Sequence, residues 1–207
     1  MAKILVCVPA MDMVAAGFAQ SLAMLRKGGH EVSIMFQCGS LVYDSRNKLA
    51  KEALKMGVDY TMWFDSDMIF TPDTMLKLLE ADKPFVSGMY FRRSHPYTLV
   101  AFDEIDCENK KWKDAKIPTE LTTVGGVGFG CVLLKTEVLF EVAAKFGCWF
   151  DPINGFGEDL SFCWRAKEAG YDVWLDPSVS CGHVGRVVVT EAMSRAIQEG
   201  IKDENQG

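Results

Sequence analysis

The chain has 207 residues, 49% of them hydrophobic, with 13 Phe and 5 Trp, which is enough for a substantial core in one domain over residues 1–207 and excludes a disordered chain. Its formal net charge is -6 and it carries no long basic run, which argues against tight nonspecific nucleic-acid binding. No stretch reaches the roughly 18 apolar residues of a bilayer span, and Pro9 interrupts the first apolar run too early for a signal peptide, so a cytoplasmic protein is expected.

Lys3 to Val8 is a continuous apolar run that predicts a strand covered on both faces, ended by Pro9. Phe18, Leu22 and Leu25 recur at helical spacing and predict a helix from about Ala15 to Lys27, stopped by Gly28-Gly29. Glu31 to Phe36 reads as a second strand. A helix capped by Asp44 or Ser45 follows and runs to Met56. Tyr60 to Phe64 is the third strand, Pro72 to Ala81 a helix with proline in its first turn, and Lys83 to Met89 a fourth strand. This alternation predicts an α/β fold with a mostly parallel central sheet flanked by helices. The pattern then changes. Tyr97 to Phe102 and Leu121 to Val124 read as strands around a charged, aperiodic excursion, Asp103 to Pro118. Cys131 to Leu134 predicts a strand, Thr136 to Phe146 and Glu158 to Ala169 helices, Asp172 to Leu175 a short strand, and Thr190 to Ile201 a terminal helix. The seven cysteines are odd in number and form no Cys-x-x-Cys pair, which suits free thiols in a reducing compartment.

Three segments carry chemistry. Asp65-Ser66-Asp67 follows the third strand. Two carboxylates one residue apart at a strand end turn toward one spot, and a divalent cation holding a phosphate-bearing ligand relieves their repulsion. A turn in which either aspartate caps the next helix is the alternative. Gly155-Phe156-Gly157-Glu158-Asp159 places two acids at a helix start, where either can serve as a general base or simply answer the helix dipole. His183, between Gly182 and Val184-Gly185, suits a metal ligand on a tight turn or an ordinary loop histidine. Ligands of open parallel sheets bind at the carboxyl ends of strands. That draws in Pro9, Ala10 and Met11 after the first strand, and Asp44, Arg46 and Asn47 at the start of the second helix, where Arg46 suits a phosphate or base edge. The run Gly125-Gly126-Val127-Gly128-Phe129-Gly130 matches neither a dinucleotide fingerprint nor a P-loop; it fits a glycine-lined wall beside a sugar, or a strained turn.

With these residues in this order, the chain resembles glycosyltransferases of the GT-A fold, the large family that includes many inverting bacterial enzymes, over about residues 3 to 186. The resemblance implies a nucleotide-sugar donor (UDP- or GDP-linked), a Mn2+ or Mg2+ cofactor, and a small second sheet. It implies that Asp67 and His183 bind the metal, that Asp65 contacts the donor ribose or metal-bound water, and that Ser66 lies on the nucleotide. It implies Asp159 as base with Glu158 in support, and Gly126, Gly128, Phe129 and Gly157 toward the sugar or acceptor. Two other classes compete. A nucleotidyltransferase usually carries a basic loop after the first strand, and Pro9 to Gly17 has no Lys or Arg. A non-catalytic nucleotide-sugar or carbohydrate-binding module would not need both the metal and base positions.

Overall fold

A computed structural model describes residues 1–185. The terminal helix expected at Thr190 to Ile201 lies outside the described residues. In chain order the elements are β1 (Lys3–Ala10), α1 (Ala16–Ala23), β2 (Glu31–Cys38), α2 (Val42–Met56), β3 (Tyr60–Phe64), β4 (Met68–Ile69), α3 (Thr74–Glu80) and β5 (Phe85–Met89). There follow β6 (Ala101–Asp106), β7 (Lys111–Asp114), β8 (Thr122–Val124), β9 (Gly126–Val127), β10 (Cys131–Lys135), α4 (Thr136–Phe146), α5 (Glu158–Glu168), β11 (Val173–Ser180) and β12 (Gly182–His183).

The main sheet has seven strands in the order β2-β1-β3-β10-β5-β11-β8. It is mixed, which corrects the expectation of a mostly parallel sheet. β1 pairs with β2 and β3, and β5 with β11, in parallel. β10 is antiparallel to both β3 and β5, and β8 is antiparallel to β11. The alternation that suggested parallel pairing stops at β5, and β10 then enters between β3 and β5 from the opposite direction. β2, β1, β3, β5 and β11 still share one direction, so their carboxyl ends meet along one rim. A three-stranded sheet, β7-β6-β9, and a two-stranded ladder, β12-β4, complete the described residues.

Period-two alternation sorts the core. In β1, Ile4, Val6 and Val8 pack on one face with Phe18, Met62, Phe64, Met75 and Leu78. Leu5 and Cys7 pack on the other with Leu49, Trp63, Phe85, Phe150 and Phe162. Helices therefore cover both faces. Each large side chain so buried contributes roughly 1.5–3 kcal/mol.

Local differences from the sequence reading have local causes. α1 ends at Ala23, short of Gly28-Gly29, because the Arg26 amide turns to the Pro72 carbonyl (2.8 Å) instead of continuing the helix. The excursion Asp103 to Pro118 holds the β6–β7 hairpin, paired from Phe102 to Asp106 against Asp114 to Lys111. β11 runs on to Ser180 through a register shift between Asp176 and Ser180. All seven cysteines are free; Cys38 is exposed, Cys148 half-buried and the other five buried. No helix among the described residues is long and apolar enough to cross a membrane.

Candidate functional site

The site begins with a turn. β3 ends at Phe64, and the Met68 amide closes back onto the Asp65 carbonyl (3.1 Å), so Asp65-Ser66-Asp67 occupies a four-residue β-turn between β3 and β4. The Asp65 amide is held by the Gly130 carbonyl (3.3 Å), and the Ser66 carbonyl accepts from Ala15 (2.9 Å). Neither aspartate caps the following helix; Asp73 stands at the N-cap of α3.

β4 then pairs with β12, matching Met68 to His183 and Ile69 to Gly182, and the Val184 amide donates to the Asp67 carbonyl (2.9 Å). This ladder brings His183 Nε2 to 3.5 Å from Asp67 Oδ2. His183 Nδ1 lies 2.9 Å from the Phe91 carbonyl. A carbonyl only accepts, so Nδ1 carries the hydrogen and Nε2 points its lone pair, or a second proton, at Asp67. The Arg93 guanidinium meets the same Asp67 oxygen at 2.5 Å. Burial alone would raise the Asp67 carboxyl, but the His183 hydrogen bond and the charges of His183 and Arg93 outweigh it and hold the group below its usual range. The hydrogen bond to Asp67 in turn raises His183, against partial burial.

A second ion cluster centres on Arg46, in the first turns of α2 and 2% exposed. Its Nη2 donates to Asp65 Oδ1 (2.7 Å) and its Nε to Glu158 Oε1 (3.3 Å). The guanidinium carbon lies 5.2 Å from the Phe129 ring centre and 5.9 Å from that of Phe150. Arg46 thus ties the end of β3 to the start of α5. Asp159 follows Glu158 in the first turn of α5 and accepts from the Leu160 amide through Oδ1 (2.8 Å). Burial first, then the neighbouring Glu158 carboxylate, pushes Asp159 up to about 6, with Arg46 pulling it down. Two buried polar atoms lack a partner here, Ser45 Oγ and Arg46 Nη1.

These groups surround a cavity of about 390 Å³ at the shared strand rim. Pro9, Ala10 and Met11 line it from the end of β1, and Arg46 from α2. Asp65, Ser66 and Asp67 come from the β3–β4 turn, Glu158 from α5 and His183 from β12. Gly39, Ser40, Val42, Ser45 and Arg93 join them. Of these, Arg93 stands in a visible Arg-Arg loop, and Ser45, expected as a helix cap, lies inside α2, whose N-cap is Leu41; Gly39, Ser40 and Val42 carry no sequence signal of their own.

Other expected residues lie elsewhere. Asp44 faces outward and pairs with Lys48 (2.7 Å). Asn47 holds the chain before α5, accepting from the Phe150 amide (2.9 Å) and donating to Asp151 (3.1 Å). Phe129 is 1% exposed, within an aromatic cluster with Trp63, Phe85, Phe150 and Phe162. Gly126 is covered by Ile105 and Leu160, and a Cβ on Gly128 would collide with the Tyr90 hydroxyl oxygen. Close packing accounts for these two glycines. Gly157 lines a neighbouring cavity with Trp112 and Phe156.

Among the described residues no group of three or more His, Cys, Asp or Glu side chains converges on one point. The Asp67 oxygen and His183 Nε2 do converge, and the Nδ1 hydrogen bond fixes the tautomer that ligation requires. A two-donor site of this kind suits a cation whose remaining positions are filled by an anionic ligand and water.

No protein-family model and no curated protein matches this sequence. Solved structures of similar fold exist. The crystal structure of A197 from STIV superposes with a TM-score of 0.62 at 18% identity, over 90% of this chain and 87% of that one. The crystal structure of GalNAc-T7 with UDP, GalNAc and Mn2+ superposes with a TM-score of 0.63 at 12% identity, over 90% of this chain and 44% of that one. The chain therefore spans under half the length of the second relative. At these identities the likeness is one of fold: an α/β domain with a mixed sheet, shared with both of these proteins.

Proposed function

We propose that the protein, as a single domain, is a metal-dependent glycosyltransferase that moves a sugar from a nucleoside-diphosphate donor to an acceptor hydroxyl. The observation that carries this reading is the meeting of Asp67 and His183 in a cavity that Arg46, Asp65, Arg93 and Glu158 also line, with the imidazole tautomer set by Phe91. The unpartnered Ser45 Oγ and Arg46 Nη1 support it, because buried donors without partners are unusual and an anionic ligand would satisfy them. The fold shared with a protein crystallised with UDP, GalNAc and Mn2+ adds to it.

Pro9, Ala10, Met11, Ser66 and Asp65 are assigned to the nucleotide, and Asp67 and His183 to Mn2+ or Mg2+. Bound there, the ion would offset the charge that develops on the departing diphosphate. The acceptor oxygen forms a bond to the sugar's anomeric carbon as the bond to the phosphate oxygen breaks, and the acceptor proton passes to a carboxylate. Asp159 is assigned as that base, with an inverting outcome and Glu158 in support. A carboxyl raised to about 6 is a better proton acceptor than an ordinary one and is still ionised at neutral pH. Glu158 lines the cavity directly, so substitution of each acid separates their roles.

Incubation with a panel of UDP- and GDP-sugars and Mn2+ is the test. Release of nucleoside diphosphate, by transfer or slow hydrolysis, supports the reading. Release of pyrophosphate from nucleoside triphosphates points to nucleotidyl transfer, and binding without release to a carbohydrate-binding module.

A further inference from the structure

A second cavity, also about 390 Å³, opens beside the first. It lies between the β6–β7 hairpin and the loop before α5, and the Asn154 side chain ties the two segments by donating to the Cys107 carbonyl (3.0 Å). Its walls include Trp112 and Phe156, whose ring centres are 5.9 Å apart at 88°. Trp112 is 61% exposed. β7 is exposed at all four positions, so the indole is not there to fill a core. Arg92 and Lys110 supply the charge in this lining, which contains no acid. Neither cation belongs to an ion pair among the described residues. In a chain of net charge -6, two free cations around an exposed indole select for an anion with an apolar face.

The two cavities adjoin at two peptide bonds. Arg93 lines the first and Arg92 the second; Glu158 lines the first and Gly157 the second. A molecule in the second cavity therefore ends beside the first turn of α5, which carries Glu158, part of the first cavity's lining, and Asp159, which lines neither cavity.

We propose that the second cavity is the acceptor subsite, and that it takes an acidic saccharide: a pyranose ring laid against Trp112, with its carboxylate or phosphate held by Arg92 and Lys110. This rests on the glycosyltransferase reading for the word acceptor, but the binding does not. One face of a pyranose presents only C–H groups, which an indole covers at little desolvation cost, while ring hydroxyls at the edge stay in water. A charged substituent then gains a charge-assisted contact that a neutral sugar lacks. The volume suits one or two sugar rings.

The test uses the whole chain and a panel of methyl glycosides: hexosides, the matching hexuronides, a sialoside and hexose 6-phosphates. Binding is followed by saturation-transfer NMR and titration. At least one acidic glycoside should bind more tightly than its neutral counterpart. Trp112→Ala should weaken it by roughly tenfold, the scale at which an aromatic anchor is lost from an interface, and Trp112→Phe should restore part of the loss. Replacing Arg92 and Lys110 together by Gln should abolish the preference for the acidic member. Melting curves confirm that each variant is folded. Failure of every panel member to bind, or equal binding by Trp112→Ala, overturns the subsite. So does an unaltered acidic preference without the two cations. Binding of UDP or GDP with Mn2+ to the unaltered chain is measured in parallel. If saccharides bind and nucleotides do not, the subsite stands and the transferase reading falls; the reverse result removes the subsite alone.

Discussion

Replacing Arg46 by Met tests whether one buried cation holds the site together. The side chain is 2% exposed, while its partners Asp65 and Glu158 are 30% and 18% exposed. Met keeps most of the volume between Phe129 and Phe150, so lost packing is minor. The lost charge is not. Removing one member of a buried ion pair costs roughly 3–5 kcal/mol, since the other is left without a counter-charge. Partial exposure lets both carboxylates recover some hydration, which places the expected loss at the lower end, about 3 kcal/mol. At ~2–4 °C per kcal/mol for a chain of this size, that lowers the Tm by roughly 6–12 °C. The deficit should also depend on pH. Asp159 has a folded pKa of about 6, above its unfolded value, so its contribution is complete below the unfolded pKa and is lost as pH rises through the folded one. Arg46 lowers that folded pKa, and without it the loss should extend to higher pH. Urea titration of the wild type and Arg46→Met at pH 5 and pH 8 measures both effects. Adding Asp65→Asn and Glu158→Gln to the variant should recover part of the stability, because neutral amides need no counter-charge. A loss below about 1 kcal/mol, or a deficit larger at pH 5 than at pH 8, would refute the clamp.

Asp159→Asn should keep nucleotide affinity while transfer falls by ~10²–10⁴-fold, measured as nucleoside-diphosphate release; normal turnover removes it from the mechanism. Affinity for Mn2+ should rise from pH 6 to pH 8, because the raised His183 must lose a proton before it can ligate, and a flat calorimetric titration across that range would dismiss His183 as a ligand. Arg93→Ala removes an exposed cation that shares the Asp67 oxygen, so Mn2+ alone should bind up to about fivefold more tightly; weaker binding would give Arg93 a supporting role instead. Gly128→Ala should cost roughly 1–3 kcal/mol, since the added methyl meets Tyr90, which is 5% exposed and cannot swing away, and a stable alanine variant would show that the aromatic wall can yield.

Much of the strand framework was legible because apolar runs report burial directly. β3 and α4 occur at the expected residues, and β1 and β2 start where expected. Sheet direction was less legible, since Cys131 to Lys135 reads as a strand whichever way it enters. β4, β9 and β12 have two residues each, too few for any periodicity. The cavity's acidic and imidazole groups announced themselves by residue type and position. Asn47 neighbours Arg46 in sequence, and the resemblance implies a place for Phe129 by the sugar or acceptor, whereas both side chains are engaged inside the fold. Asn47 binds the backbone before α5 and Phe129 packs in the aromatic cluster. Serine and small apolar residues such as Ser40 and Val42 line the cavity only because the backbone passes there. Trp112 has no signature in the sequence because its surroundings are charged and aperiodic, a loop-like pattern that the β6–β7 hairpin nonetheless folds into paired strands.

The β4–β12 ladder has a consequence for how such a site drifts. The pairing of Met68 with His183, and the hydrogen bond from Val184 to Asp67, are made by main-chain atoms. Asp67 and His183 are thus positioned by peptide groups that every amino acid except proline supplies in full, and the residues around them are released to change. A slip in register, which would turn His183 to the opposite face, breaks the arrangement. Point substitution seldom causes such a slip, whereas insertion or deletion of one residue does. A lineage built this way can replace most of its side chains while its spacing is held, and it is then recognised by shape long after its letters have diverged.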